Sequence, residues 1–78
     1  MAMKELVEII AKALVDHPDE VRVERIEDER VITLELHVAS EDMGKVIGKR
    51  GRIAKAIRTV VNAASSAEKK RVLVEIVQ

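Results

Sequence analysis

Hydrophobic residues follow two different spacings in the first half of the chain. One stripe recurs every three or four residues, as in an amphipathic helix, and comprises Met3, Leu6, Val7, Ile10, Ala13 and Leu14. Pro18 is expected to end this helix, because the residue before a proline is disfavoured in the α region. Apolar residues alternate in Val21–Glu24 and again in Val31–Val38. This alternation is typical of strands with one buried face.

The second half of the chain returns to helical spacing before a final alternating run. Ser40 is expected to cap a short helix that buries Met43, Val46 and Ile47. A longer helix is predicted from about Arg52 to Ser65, on a stripe of Ile53, Ala56, Ile57, Val60, Val61 and Ala64. Arg71–Val77 alternates and is predicted to be the last strand. The predicted order is therefore α-β-β-α-α-β.

This order constrains the topology of the sheet. The polar segment Glu27–Arg30 is expected to join the first two strands as an antiparallel hairpin. A helical crossover joins the second strand to the third, and crossovers connect parallel strands with right-handed geometry. The pattern predicts an α+β fold, a three-stranded mixed sheet with strand 2 in the centre. Three helices would cover one face, burying Ile32, Leu34, Leu36, Val72, Val74 and Ile76.

Two glycines enclose two cationic residues in the segment Gly48-Lys49-Arg50-Gly51, between the two predicted helices. Glycine permits positive φ and leaves the backbone open to close approach by another chain. The N-terminus of the following helix carries unpaired N–H donors and a partial positive charge, which favour anions. These features predict a clamp for the phosphates of a nucleic-acid backbone.

The residues from Ile47 to Lys55, Ile-Gly-Lys-Arg-Gly-Arg-x-x-Lys, resemble the GXXG loop of KH domains, which clamps about four nucleotides. The whole chain, including Ala-Leu-Val-Asp-His-Pro-Asp at residues 13–19, is similar to the small bacterial single-KH RNA-binding proteins of the KhpA type. The resemblance implies one type II KH domain over residues 1–78.

The same resemblance implies how the chain would act. It would bind short single-stranded RNA as a post-transcriptional regulator or RNA chaperone, and the lack of aromatic side chains would make its specificity loose. Bases would lie in a shallow groove formed by Ile47, Ile53 and the edge of strand 2. The expected RNA-binding residues are Lys45, Ile47, Gly48, Lys49, Arg50, Gly51, Arg52, Ile53 and Lys55. The implied protein partner is a second KH protein, KhpB, also called Jag. A homodimer is also expected, because burying the open sheet face or the apolar flank of the second helix would stabilise so small a domain.

Composition agrees with a nucleic-acid ligand but not with an aromatic platform. The net charge is zero, yet residues 1–44 carry a balance of −7 and residues 45–78 a balance of +7. No acidic residue interrupts the basic run of Lys45, Lys49, Arg50, Arg52, Lys55 and Arg58. The chain contains no Phe, Tyr or Trp, so bases cannot stack on aromatic rings as they do in RRM and OB folds. Affinity is therefore expected to be modest.

Other functions fit the sequence less well. A P-loop requires four residues between its first glycine and Gly-Lys, then Ser or Thr, whereas Gly44 and Gly48 are separated by three and Arg50 replaces the hydroxyl. A helix-hairpin-helix DNA clamp remains an alternative, although it usually shows Gly-x-Gly. So does a protein-interaction module, because Val31, Leu73 and Val77 fall on the uncovered face of the sheet.

Catalysis, cofactors and a membrane location are not indicated. The two histidines, His17 and His37, have no evident catalytic partners. His17 is expected to be exposed or hydrogen-bonded locally, and His37, on the mainly polar face of its strand, is expected to be exposed. The chain lacks cysteine, which removes disulfides and thiolate metal sites and favours a reducing compartment. Its N-terminus alternates charged and apolar residues, unlike a signal peptide. The expectation is a cytoplasmic protein that is not an enzyme and needs no metal or cofactor.

Overall fold

The computed structural model describes residues 3–67 and 69–77; the side chains of Lys49, Arg50 and Ala67 lie outside that description. Helix α1 spans Met3–Leu14 and is followed by a short 3-10 turn at Pro18–Glu20. Strands β1 and β2 span Arg22–Glu27 and Val31–His37. Helix α2 spans Ser40–Ala64, a second 3-10 turn follows at Ser65–Ala67, and strand β3 spans Arg71–Val77.

The three strands form one mixed sheet in the order β1-β2-β3. Strand β1 pairs with β2 in antiparallel orientation, with Val23 opposite Leu36. Strand β3 pairs with β2 in parallel orientation, with Leu34 opposite Val74. The predicted α+β class and the type II KH arrangement, with strand 2 central, are confirmed. The predicted bounds of the last strand are also confirmed.

The core lies between the sheet and the helices. Along β2, burial alternates strictly, and Ile32, Leu34 and Leu36 are each almost completely inaccessible to solvent. The remaining buried members of this cluster are Val7 and Ala11 from α1, Val23 from β1, Ile57 and Val61 from α2, and Val72 and Val74 from β3. The helices therefore cover one face of the sheet and leave the other face open.

Helix α2 differs from the prediction of two helices separated by a loop. It is helical from Ser40 to Ala64, and the GXXG segment lies inside it. Gly51 nevertheless has a φ of +65°, so the turn that the glycines were expected to provide is present as a local irregularity at this residue. The expected cap is also displaced by one residue: Ala39 is the N-cap, with a ψ of 145°, and Ser40 is already helical.

Burial along the helices also departs in part from the predicted stripes. Ala54 is buried, whereas Ala56 and Ala64 are exposed and Val60 is 37% exposed. In α1, Ala11 is buried, whereas Ala13 and Leu14 face solvent. The apolar arc of each helix is wider than its contact with the sheet, so only its central rows are buried.

Asp28 organises the hairpin between β1 and β2. Its Oδ1 accepts hydrogen bonds from the backbone N–H groups of Arg30 and Val31, both at 2.7 Å. This side-chain turn replaces the Asn-Gly turn that the segment lacks. Lys70, which precedes β3, donates to the backbone carbonyl of Asp28 at 2.8 Å and also pairs with Glu27. These contacts join the hairpin to the start of the third strand.

The helices in the described part of the chain have neither the length nor the apolar composition to cross a membrane.

Candidate nucleic-acid interface

The backbone around the GXXG segment is open to a ligand. Beyond the adjacent residues and the helix's own backbone, a Cβ atom placed on Gly48 or Gly51 would meet no atom of the described residues within 4 Å. At Gly51 the φ of +65° lies in the left-handed region, where any side chain is strained. The two glycines thus present bare backbone on the protein surface. This is the geometry required for close approach by a sugar-phosphate chain.

A groove begins beside this open backbone and lies between α2 and β3. We call it the proximal groove; its lining residues are Ile47, Gly51, Ala54, Lys55, Arg58 and Ile76, and its volume is about 330 Å³. On the side of the sheet, the groove is thus lined by Ile76 of β3. The expectation that the edge of strand 2 would line the groove is wrong, because β2 is the central strand and has a neighbour on each side.

The two isoleucines predicted to line the groove have different environments. Ile47 was also expected to lie on a buried helix face, but it is 49% exposed and lines the proximal groove. Ile53 packs instead against the edge of the hydrophobic core. The apolar surface offered to a ligand therefore comes from Ile47, Ala54 and Ile76. Sequence reasoning missed the role of Ile76, because its position depends on how β3 docks against α2.

The predicted cationic residues are not equivalent. Arg52 and Lys55 are exposed, and Lys55 lines the groove with Arg58. Lys45 is exposed as well, but its Nζ lies 3.1 Å from Oδ1 of Asp16, which compensates part of its charge. The predicted phosphate contacts of Lys49 and Arg50 involve side chains outside the described part of the structure.

A buried carboxylate fixes the start of α2, and sequence reasoning did not identify it. The side chain of Asp42 is only 1% exposed. Its two oxygens accept hydrogen bonds from the backbone N–H groups of Asp16 and His17, at 3.1 and 3.0 Å, and one lies 3.2 Å from Nδ1 of His17. Nε2 of the same imidazole lies 3.0 Å from Glu41. The residues after α1 are thereby held against the helix that carries the GXXG segment.

These contacts shift the pKa values of both His17 and Asp42. The hydrogen bond to Asp42 is the main factor that raises the pKa of His17; partial burial opposes it, and the charges of Asp42, Glu41 and Glu20 reinforce it. Burial alone would raise the pKa of Asp42, but hydrogen bonds from Asp16 and His17 outweigh it, so this pKa is lowered. Both shifts favour the charged pair, an imidazolium next to a carboxylate.

On the open face of the sheet, one group of side chains in the described part of the chain could hold a metal ion. Glu24, Glu35 and His37 offer ligand atoms within 4.8 Å of one another. Arg22 already lies 3.3 Å from Glu24. His37 is half-buried rather than exposed, and its Nε2 is inaccessible and without a hydrogen-bond partner among the described residues. This group belongs to the opposite face from α2 and has no contact with the proximal groove.

Comparison with known proteins assigns the family. The model of the KhpA/KhpB KH domain matches residues 4–76. The chain is 67% identical over 75 residues to a protein of Clostridium acetobutylicum named RNA-binding protein KhpA, covering 96% of this chain and all of that protein. A protein of the same name from Aquifex aeolicus is 49% identical over 77 residues, covering 99% of this chain and 98% of the relative. No solved structure gives a significant match. The chain belongs to the KhpA/KhpB KH-domain family.

Proposed function

We propose that the chain binds single-stranded RNA along the proximal groove, with the GXXG backbone against the phosphates. The observation that carries this proposal is the open backbone at Gly48 and Gly51 beside a groove that combines cationic and apolar side chains. Relatives that match the chain over nearly its full length are named RNA-binding proteins. Binding rather than catalysis is the activity that this site supports.

Each part of the site has a distinct task in this proposal. Lys49, Arg50, Arg52 and Lys55 neutralise phosphates, with Lys45 contributing less because of Asp16. Gly48 and Gly51 permit close approach, and bases lie against Ile47 and Ile76, with Ile53 supporting the groove from the core side. Without aromatic stacking, which supplies about 1–3 kcal/mol per base elsewhere, affinity is modest and sequence preference loose. Modest and loosely specific RNA binding fits a cytoplasmic post-transcriptional regulator or RNA chaperone that consists of one KH domain over residues 1–78.

Charge reversal at the two cationic residues of the GXXG segment tests the proposal. The double variant Lys49→Asp, Arg50→Asp is expected to lose binding to a fluorescein-labelled dodecauridine, measured by anisotropy, because repulsion replaces attraction at the phosphates. The control is Lys4→Asp, Lys12→Asp, which changes the net charge equally on exposed positions of α1. The control should keep most of the wild-type affinity. Equal losses in the two variants, or none in the first, would rule out a clamp at this segment.

The salt dependence of binding gives an independent test. If about three phosphates are neutralised, the logarithm of the association constant should fall with the logarithm of salt concentration with a slope near −2, from about −0.7 per phosphate on single strands. Parallel titrations with the DNA oligonucleotide dodecadeoxyuridine and with duplex DNA separate RNA binding from the helix-hairpin-helix alternative. Affinity that is insensitive to salt would favour a protein-interaction role instead.

Association with a second KH domain is the second candidate function. Val60, Ala56 and Ala64 form an exposed apolar flank on α2, on the side away from the core. A second domain would cover this flank and would also raise the effective affinity for one RNA, because its contact becomes intramolecular. We infer a homodimer or a complex with a KhpB-type protein. Sedimentation of wild type and Val60→Asp at several concentrations tests this; a wild type that stays monomeric alone and with KhpB would exclude it.

A further inference from the structure

A second pocket lies at the opposite end of the interface between α2 and β3. We call it the distal pocket; its volume is about 400 Å³, and its polar lining comes from Arg58, Asn62, Ser65, Lys70 and Arg71. Val61 of α2 and the apolar residues at strand positions 72–74 complete it. Three of its lining residues are cationic and none is acidic. The family resemblance and the GXXG segment account for the proximal groove but assign nothing to this pocket.

The distal pocket continues the proximal groove. Arg58 lines both. Lys55, Arg58, Asn62 and Ser65 follow one another at intervals of three or four residues, which places them on one side of α2. On the facing strand, Ile76 borders the proximal groove and Arg71 the distal pocket, since β3 runs back toward the GXXG segment. From Lys55 to Ser65 this side of the helix extends for about 15 Å, at 1.5 Å per residue.

The cations of the distal pocket differ in how far they are already neutralised. The charge of Lys70 is already compensated, because its Nζ donates hydrogen bonds to Glu27 and to the backbone carbonyl of Asp28. Arg58 and Arg71 are exposed, and neither forms an ion pair with any other residue in the described part of the chain. A guanidinium binds phosphate in a bidentate manner and also stacks on planar groups. The two arginines therefore offer a phosphate site beside the apolar wall of β3.

We propose that the distal pocket is a second RNA subsite, which holds a phosphate and its nucleotide on the strand that continues from the proximal groove. The proposal rests on the proposed function, since the shared residue Arg58 makes both parts one track. Arg71 lines the distal pocket but not the proximal groove, and unlike Lys70 it has no ion-pair partner among the described residues. An RNA too short to span the track should therefore bind without Arg71, whereas a longer one should require it.

The test compares two labelled RNAs, tetrauridine and dodecauridine, with wild type, Arg71→Gln and Arg22→Gln. Arg22 is the matched control, because it is an exposed arginine at the first position of β1, the edge strand that β2 separates from β3. Arg71→Gln should weaken dodecauridine binding about five- to tenfold, as expected for loss of one charged hydrogen-bonded contact. It should also reduce the salt slope by about 0.7. Its tetrauridine affinity and both affinities of Arg22→Gln should remain at wild-type values.

Three outcomes would overturn the proposal in distinguishable ways. Wild-type protein that binds neither RNA would overturn the proposed function and the subsite with it. An Arg71→Gln variant that loses nothing on dodecauridine, or loses equally on both RNAs, would overturn the subsite alone while leaving RNA binding at the GXXG segment. An oligoglutamate of equal charge that displaces dodecauridine as well as unlabelled RNA does would reassign the pocket to an acidic polypeptide. Far-ultraviolet circular dichroism verifies that both variants are folded.

Discussion

The glycines of α2 should respond to alanine substitution with opposite signs. Gly51 has a φ of +65°, whereas Gly44 and Gly48 lie outside the left-handed region. Beyond the adjacent residues and the helix's own backbone, a Cβ built at any of the three meets no atom of the described residues within 4 Å. Steric clash is thus excluded at every site, and only backbone conformation differs. At Gly51 the left-handed geometry costs an alanine about 1–2 kcal/mol. At Gly44 and Gly48 alanine is favoured over glycine in a helix by about 0.5–1 kcal/mol.

The net effect at Gly51 also includes the unfolded chain. Alanine restricts that chain and so returns about 0.4–1 kcal/mol. The midpoints of these two ranges differ by about 0.8 kcal/mol, so Gly51→Ala should destabilise the protein by about that amount. For a domain of this size, each 1 kcal/mol corresponds to about 4–8 °C in Tm. The melting temperature should fall in Gly51→Ala and rise in Gly44→Ala and Gly48→Ala.

Thermal and urea unfolding followed by circular dichroism at 222 nm measure this difference, since the chain has no Trp or Tyr to report by fluorescence. Gly51→Asn is an informative control, because asparagine tolerates the left-handed region better than alanine. A Gly51→Ala variant as stable as wild type, or a Gly44→Ala variant that is less stable, would refute the reasoning. In the proposed function, Gly48→Ala should combine higher stability with weaker RNA binding, because the added methyl group obstructs the approaching backbone. That combination cannot result from a damaged fold.

The remaining predictions concern the core and the junction between α1 and α2. Leu34→Ala should destabilise the protein by about 2–5 kcal/mol in urea unfolding, because this side chain is fully buried, whereas the same change at Ile26, which is 51% exposed, should cost below about 1 kcal/mol. Asp42→Ala should lower the urea midpoint more than Glu41→Ala, because it leaves two backbone N–H groups without their acceptor. The pKa of His17 is raised above 6.5, so its contribution to the free energy of unfolding is complete below pH 6.5 and is lost as pH rises through the folded-state pKa. The pKa of Asp42 is lowered, so its contribution is complete above pH 3.8 and is lost as pH falls through the folded-state pKa. Stability should therefore be greatest between these limits and decline on the alkaline side, and a His17→Gln variant that retains the same alkaline decline in urea midpoints would contradict this assignment.

Local patterns predicted the sheet because its strands have one buried and one open face. Alternation in Val31–Val38 identified the buried set Ile32, Leu34 and Leu36. The short hairpin and the helical crossover then allowed little choice of topology. The buried faces of the helices were predicted less accurately than those of the strands, because the apolar arcs of the helices are wider than the faces they bury. The sequence also suggested a loop at the GXXG segment, whereas the chain needs only one irregular φ there, at Gly51.

Long-range contacts explain what the patterns missed. Asp42 lies in the first turn of α2 beside Glu41, and both suit a helix N-terminus equally well. Only the approach of Asp16 and His17, more than 20 residues earlier, buries one carboxylate and leaves the other exposed. Likewise, the alternation of β3 predicted that Ile76 faces the helices and is buried, but not that it stays half-buried and borders a groove beside α2. Both features result from docking between elements that are distant in sequence.

The position of β3 in the chain has a consequence for biosynthesis. Each residue of β3 pairs with a β2 residue 40 positions earlier, as in Ile32 opposite Val72, so a ribosome must add about forty residues before this pairing can begin. Until then the buried face of β2 lacks one neighbour, and the proximal groove lacks the wall that Ile76 supplies. Pairings so distant in sequence form slowly. A chain still lacking β3 therefore pairs Leu34 and Leu36 with β1 alone and presents no complete groove for a ligand.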